Sequence, residues 1–74
     1  MDLVQLLGAN VRRIRKSRGL TQEELALEAG MKRSYLSDLE RGTRNPSVRA
    51  VERLARVLNV EASTLLSREP EKSV

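Results

Sequence analysis

Cysteine, histidine, tryptophan and phenylalanine are all absent from this 74-residue sequence. Without thiols or imidazoles the chain has no disulfide, no soft-ligand metal site, no cysteine nucleophile and no histidine base. We therefore expect no metal, no cofactor, no small-molecule substrate and no enzymatic activity. A chain this short buries only about 60% of its unfolded surface on folding, so self-association is the expected supplement to its stability.

Long apolar runs are also missing from the sequence. No stretch approaches the roughly 18 to 20 residues that cross a bilayer. Residues 1–11 lack the basic start and the small-residue cleavage site of a signal peptide. These features predict a cytoplasmic protein without a membrane partner.

Acidic residues are outnumbered, because 14 lysines and arginines face 10 aspartates and glutamates, which gives a formal net charge of +4. The excess is local. Within residues 1–20 the only acid is Asp2, and the basic residues are Arg12, Arg13, Arg15, Lys16 and Arg18. This distribution favours an anionic partner. A solvated, arginine-rich helix face explains it equally well.

Apolar residues recur at helical spacing in five segments, and N-cap residues and glycines mark where several of these helices begin and end. The predicted helices follow Asp2, Thr21 and Ser47 as N-caps, begin near Lys32, and span about 62–66. Strand signals, repeats and linkers are missing. We therefore predict an all-α, compact five-helix domain over residues 1–66. Residues 67–74 have too little apolar content to pack and are expected to form a disordered tail.

The second and third predicted helices are joined by a short turn around Gly30, which is the sequence form of a helix-turn-helix over about residues 21–41. A simple helical corner has the same form. With Leu36 and Leu39 facing inward, the outward arc of the third helix holds Arg33, Ser34, Ser37, Asp38 and Arg41. The third helix therefore has a polar outer face.

Four side chains on this polar face are predicted to contact DNA bases: Arg33, Ser34, Ser37 and Asp38. Arginine can bind guanine through two hydrogen bonds, serine can bond a base or a phosphate, and aspartate can accept from cytosine. Residues around them are predicted to contact the DNA backbone: Gln22, Tyr35, Arg41, Thr43, Arg44 and Asn45. Arg44 could instead enter a narrowed minor groove. Each residue taken alone also fits a solvated surface position.

Two charged residues are predicted to lie against the core rather than in solvent. The helical projection turns Glu40 toward the inner side of the third helix and places Arg15 beside the apolar stripe of the first. An unpaired buried charge is costly, so each should have an opposite partner. We therefore predict a structural ion pair between Arg15 and Glu40.

The motifs taken together resemble the Cro/C1-type helix-turn-helix family, from about residue 7 to 66. The resemblance is carried by Gly19-Leu-Thr-Gln-Glu-Glu-Leu-Ala, Ala29-Gly-Met, Tyr35-Leu-Ser-Asp-Leu-Glu-Arg-Gly42 and Asn45-Pro-Ser. It implies a lambda-repressor-like DNA-binding domain whose recognition helix is Arg33–Glu40, with Arg15 and Glu40 as its internal pair. Lys32 departs from the capping residue usual in the family, and we expect it to contact a phosphate instead.

Within that family, two short segments of the sequence are similar to those of restriction-modification controller proteins: Arg33-Ser34-Tyr35 and Arg44-Asn45. The resemblance implies a transcription regulator that binds double-stranded DNA as a homodimer. The predicted dimer interface comprises Leu58, Val60, Leu65 and Leu66. Two-fold symmetry then requires a pseudo-palindromic operator, with tetramers on adjacent sites left open. The alternatives are a phage-type repressor and a DNA-binding antitoxin. A longer tail after Leu66 would be typical of the antitoxin.

Overall fold

The computed structural model describes residues 1–68, which form five α-helices and no strand. The helices are α1 (Leu3–Ser17), α2 (Gln22–Glu28), α3 (Arg33–Glu40), α4 (Val48–Leu58) and α5 (Ala62–Leu65). Each lies where the apolar periodicity of the sequence placed it, so the predicted all-α class is confirmed. None of these helices is both long enough and apolar enough to cross a membrane.

The first two helices begin with reciprocal hydrogen bonds between an N-cap side chain and the residue three positions later. At α1 the Gln5 backbone N–H donates to Asp2 Oδ1 at 2.9 Å, and the Asp2 N–H donates to Gln5 Oε1 at 3.1 Å. At α2 the predicted N-cap Thr21 takes part in the same arrangement, since Thr21 N donates to Glu24 Oε1 at 2.9 Å and Glu24 N to Thr21 Oγ1 at 3.1 Å. The hydrogen bonds from the backbone and side chain of Thr21 lower the pKa of the Glu24 carboxyl.

A single aliphatic cluster holds the helices together. Its fully buried large side chains are Val11, Ile14, Leu25, Leu36, Leu39, Leu54, Leu58 and Leu65. Burying a side chain of this size contributes roughly 1.5 to 3 kcal/mol, so this cluster is the main source of stability. α3 packs mainly against α1 and α2 through Leu36 and Leu39. Its opposite side is left to solvent.

α1 and α3 approach each other closely at Gly8. A Cβ atom at this position would stand 2.2 Å from the carbonyl oxygen of Leu39 and 2.9 Å from that of Glu40. Glycine inside a helix costs roughly 0.5 to 1 kcal/mol relative to alanine. Here it lets the backbones of two helices meet, which fixes the C-terminal end of α3 against α1.

Two of the four residues predicted at a dimer interface are buried inside this chain instead. Leu58 and Leu65 are both 0% exposed and belong to the core cluster. Their assignment to the interface is therefore wrong, because a side chain enclosed by its own chain presents no surface to a second copy. Val60 is half-buried, and Leu66 keeps 41% of its surface exposed.

The end of α5 is tied to α1 by a buried amide. Asn10 Nδ2 donates to the carbonyl oxygens of Leu65 and Ser67, each at 2.9 Å, and Arg68 Nη1 donates to the carbonyl of Met1 at 3.1 Å. The first two residues of the segment predicted as a disordered tail thus have defined hydrogen bonds. The remainder of that prediction, residues 69–74, lies outside the described residues.

Candidate nucleic-acid interface

The predicted base-contacting residues share the outer face of α3. Arg33 and Ser34 in its first turn are exposed, and Ser37 and Asp38, one turn later, are half-buried. The spacing of these residues places them on one side of an α-helix. The opposite side carries the buried Leu36 and Leu39, so the polar face is directed away from the core.

A buried ion pair fixes α3 to α1, as predicted. Arg15 Nε donates to Glu40 Oε2 at 2.7 Å and Nη2 donates to Oε1 at 3.0 Å, with the two side chains 9% and 2% exposed. Arg15 Nη1 also donates to the Leu20 carbonyl at 2.8 Å. Bidentate pairing restricts the geometry of both groups as well as stabilising them. The recognition helix predicted from sequence is therefore rigidly held from its inner side.

Gln22, a predicted backbone contact, lies at the first position of α2 and is half-buried. Its Nε2 donates to Glu40 Oε1 at 2.9 Å. An amide nitrogen has two N–H donors, so one remains for a phosphate. Gln22 thereby joins the outer surface of α2 to the buried pair, a connection that the sequence reasoning missed.

Tyr35 connects α3 with the loop before α4 and with the N-cap of α4. The guanidinium carbon of Arg44 lies 4.6 Å from the centroid of the Tyr35 ring, and the backbone N–H of Ser47 donates to Tyr35 Oη at 3.3 Å. Ser47 Oγ in turn accepts from Ala50 N at 3.0 Å and caps α4, as predicted. The cation–π contact holds the exposed Arg44 beside the outer face of α3.

Asp38 contacts the residues that follow α3 through both its side chain and its backbone. Its carboxylate forms ion pairs with Arg41 Nη2 through Oδ1 and with Arg44 Nη2 through Oδ2, the latter at 3.6 Å. The backbone carbonyl of Asp38 accepts from both the N–H and the hydroxyl of Thr43, each at 3.1 Å. Sequence reasoning missed this cluster, although the three-residue spacing of Asp38 and Arg41 was an available signal.

A basic groove runs between α3 and α4, with a volume of about 540 Å³. The cations that line it are Lys32, Arg44, Arg49 and Arg53. Lys32 begins α3 without a side-chain cap, as its departure from the usual capping residues predicted. Sequence reasoning did not include Arg49 and Arg53 in the site, although their four-residue spacing puts both on one side of α4. The groove extends the positive surface beyond the face of α3.

Asn45, the last predicted backbone contact, is exposed in the loop between α3 and α4. Among residues 1–68, no cluster of histidine, cysteine, aspartate and glutamate could hold a metal ion. What this surface offers is positive charge and hydrogen-bond donors. These are the groups that contact phosphates and base edges in protein–DNA interfaces.

Known proteins are similar to this chain in both sequence and fold. A helix-turn-helix family model matches residues 11–65. Control protein C.BamHI of Bacillus amyloliquefaciens is 45% identical over 62 residues, which cover 82% of this chain and 76% of that protein. The crystal structure of the restriction-modification controller protein C.AhdI from Aeromonas hydrophila aligns with a TM-score of 0.81 at 39% identity, covering 84% of this chain and 94% of that chain.

A structure containing DNA is also similar. SinR, described as a master regulator for biofilm formation and solved in complex with DNA, aligns with a TM-score of 0.79 at 40% identity. The alignment covers 82% of this chain and 98% of that chain. The match of the family model, these identities and the shared fold confirm the resemblance found in the motifs. This chain belongs to the Cro/C1-type helix-turn-helix family of transcription regulators.

Proposed function

We propose that this protein is a restriction-modification controller that binds double-stranded DNA sequence-specifically as a homodimer in the cytoplasm. The observation that carries the proposal is the outer face of α3, whose hydrogen-bonding side chains are exposed or half-buried while the Arg15–Glu40 pair holds the helix from within. A major groove admits an α-helix presented in this way. The similarity to C.BamHI and C.AhdI supports the controller role.

In this proposal two sets of residues divide the work at the DNA surface. Base edges are contacted by Arg33, Ser34, Ser37 and Asp38. The DNA backbone is contacted by Gln22, Lys32, Tyr35, Arg41, Thr43, Arg44 and Asn45. Backbone contacts set the position of the protein on the duplex and base contacts set the sequence it prefers.

We propose that the dimer forms through an apolar face assembled from α1, α4 and the end of α5. Leu3, Val48 and Leu66 are 53%, 87% and 41% exposed, and they line a shallow apolar hollow together with Val4 and Val51. Exposed apolar groups clustered in this way are typical of an interaction surface. Leu66 and the half-buried Val60 stay in the proposed interface. The exposed side chains of Leu3 and Val48 replace the buried Leu58 and Leu65 there.

DNA binding is tested by selecting bound duplexes from a random pool and measuring affinity over a range of salt concentrations. We expect a pseudo-palindromic site with half-sites about one helical turn apart. Arg33→Ala should lose about 1 to 3 kcal/mol at one base position. Arg44→Ala should weaken binding to all sequences and reduce the salt slope by about 1.

Arg56→Ala is the matched control, because it removes an exposed arginine of α4 that lies outside the proposed contacts. Its affinity should stay close to that of the wild type. Failure of the wild type to bind any duplex at low salt would refute DNA binding. The controller role further requires that the selected site occur upstream of the protein's own gene and of an endonuclease gene.

The dimer face is tested by placing a charge on it. Leu66→Glu should yield monomers in sedimentation velocity, because a carboxylate buried at an apolar interface is costly. Leu27→Glu is the control, since Leu27 is 80% exposed on α2 and lies away from this face. A wild type that sediments as a monomer, or a Leu66→Glu variant that stays dimeric, would contradict the assignment.

A further inference from the structure

Asp38 occupies an unusual position for a residue on the face proposed to enter the major groove. Both of its carboxylate oxygens are already paired with arginines of this chain, Oδ1 with Arg41 and Oδ2 with Arg44. The side chain keeps 33% of its surface exposed, while the arginines keep 65% and 45%. The three charged groups therefore form one solvent-accessible cluster whose charges sum to a single positive charge.

These same arginines are proposed contacts to the DNA backbone. Each arginine pairs with Asp38 through Nη2. A phosphate that binds Arg41 or Arg44 therefore either shares the guanidinium with the carboxylate of Asp38, using its other N–H donors, or displaces that carboxylate. The guanidinium carbon of Arg44 also lies 4.6 Å from the centroid of the Tyr35 ring, and this second contact favours the same position of the side chain. This competition between a phosphate and the carboxylate of Asp38 arises with any duplex, whatever its sequence.

The outcome of the competition depends on the sequence of the duplex. When DNA takes over the arginines, Asp38 is left on the groove face, where it needs a hydrogen-bond donor. A cytosine N4 or adenine N6 amino group within reach supplies one, whereas phosphates and the acceptor atoms of guanine and thymine repel a carboxylate. A site without a suitable donor is therefore penalised. Specificity commonly depends on such a repulsive element as well as on attractive contacts.

We infer that Asp38 is a specificity-determining residue that restrains Arg41 and Arg44 and lowers affinity for arbitrary DNA more than affinity for the operator. The inference rests on the proposed DNA-binding function and deepens it. It differs from the simple role of a base reader, because Asp38 acts here through two neighbouring arginines. In that sense it is a positioning residue for both.

The test compares Asp38→Asn with Glu52→Gln. Both substitutions remove one negative charge, but Glu52 is an exposed residue of α4 outside the cluster. Affinity is measured for the selected operator and for an arbitrary duplex of equal length, each over a range of salt concentrations. Thermal unfolding of each variant is recorded first to establish that it is folded.

We expect Asp38→Asn to bind the arbitrary duplex about three- to tenfold more tightly, because the substitution releases two arginines from exposed ion pairs. The ratio of operator affinity to arbitrary affinity should fall by a similar factor. The salt slope on the arbitrary duplex should steepen by about 0.9 for each phosphate newly contacted. Glu52→Gln should change the ratio less than about twofold, because the carboxylate that pairs with Arg41 and Arg44 is that of Asp38 and not that of Glu52.

The inference is overturned if Asp38→Asn leaves the affinity for arbitrary DNA unchanged and weakens binding only at one base pair, which is the result for a simple base reader. A wild type that binds neither duplex refutes the proposed function instead. If Asp38→Asn does not fold, Asp38→Ser serves as the second variant, since it keeps the backbone acceptor of Thr43. Adding Arg44→Ala should remove most of the gain in affinity for arbitrary DNA, and full additivity would contradict the coupling.

Discussion

The two sides of α3 carry the same kind of interaction in opposite surroundings. On the inner side Glu40 pairs with Arg15, and the two side chains are 2% and 9% exposed. On the outer side, two residues earlier, Asp38 pairs with Arg41 and Arg44 in a cluster open to solvent. The inner carboxylate is also hydrogen bonded to Gln22, so its surroundings leave little freedom.

Burial makes the inner pair structural and the outer cluster exchangeable. Removing one partner of a buried pair leaves an uncompensated charge in the protein interior, which is far more costly than the pair's own net contribution. Exposed pairs contribute only about 0 to 1 kcal/mol, because water and salt replace the lost partner. One helix thus combines a fixed attachment with charges that can change partner when a ligand arrives.

The largest expected effect comes from breaking the inner pair. Glu40→Gln keeps the shape of the side chain but leaves Arg15 charged and buried, and we expect a loss of about 3 to 5 kcal/mol in the free energy of unfolding. Urea titration measures it. Asp38→Asn is the matched control with the same change of functional group, and it should lose less than about 1 kcal/mol. Equal losses in the two variants would break the distinction between the two sides.

The next effect tests how closely the inner side is packed. In an open helix Gly8→Ala would stabilise by about 1 kcal/mol through helix propensity. Here the added Cβ would lie 2.2 Å from the Leu39 carbonyl oxygen, so α1 and α3 must separate. We expect a net loss of about 1 to 3 kcal/mol, measured by thermal unfolding.

The neighbouring exposed position provides the control for Gly8. Ala9→Ser should change stability by only about 0.5 kcal/mol, because it alters propensity without contact to α3. If Gly8→Ala proved more stable than the wild type, the close approach of the two helices would be disproved. The fixed character of the inner side would then depend on the ion pair alone.

The smallest effect concerns the outer start of α3, where Lys32 provides no side-chain cap. Lys32→Ser should raise the free energy of unfolding by about 0.5 to 1 kcal/mol by supplying the missing acceptor. The same change should weaken DNA binding, because it removes a cation from the basic groove. Denaturation of the sample measures the change in stability, and DNA titration of the same sample measures the change in affinity. A variant that neither gains stability nor loses affinity would contradict this account.

Most of the architecture was predictable because it depends on local patterns. Apolar spacing located the five helices, and Thr21 as a predicted N-cap identified the start of α2. Even the Arg15–Glu40 pair followed from sequence, since helical projection turns both residues inward and buried charges require partners. These predictions needed no knowledge of how the helices are arranged in space.

What the sequence did not reveal depends on that arrangement. In the sequence, a leucine of the core cannot be distinguished from a leucine of an interface. Leu58 and Leu65 belong to the core only because α5 packs onto α1 and α4. Predicting the role of Gly8 would have required the distance between two helices. Predicting the cluster at Asp38 would have required the path of the loop that brings Arg44 back to α3. The base and backbone contacts themselves stay predictions.

Tyr35 has one consequence that arises from what surrounds it and from what the sequence omits. It is the only tyrosine in a chain without phenylalanine, tryptophan or histidine. Its ring lies against the guanidinium of Arg44, and its hydroxyl accepts a hydrogen bond from the backbone N–H of Ser47, the N-cap of α4. With the tyrosine isotopically labelled, every aromatic side-chain signal in the NMR spectrum of the protein comes from this one ring. The molecule thus carries its own spectroscopic probe at the point where Arg44 would have to move.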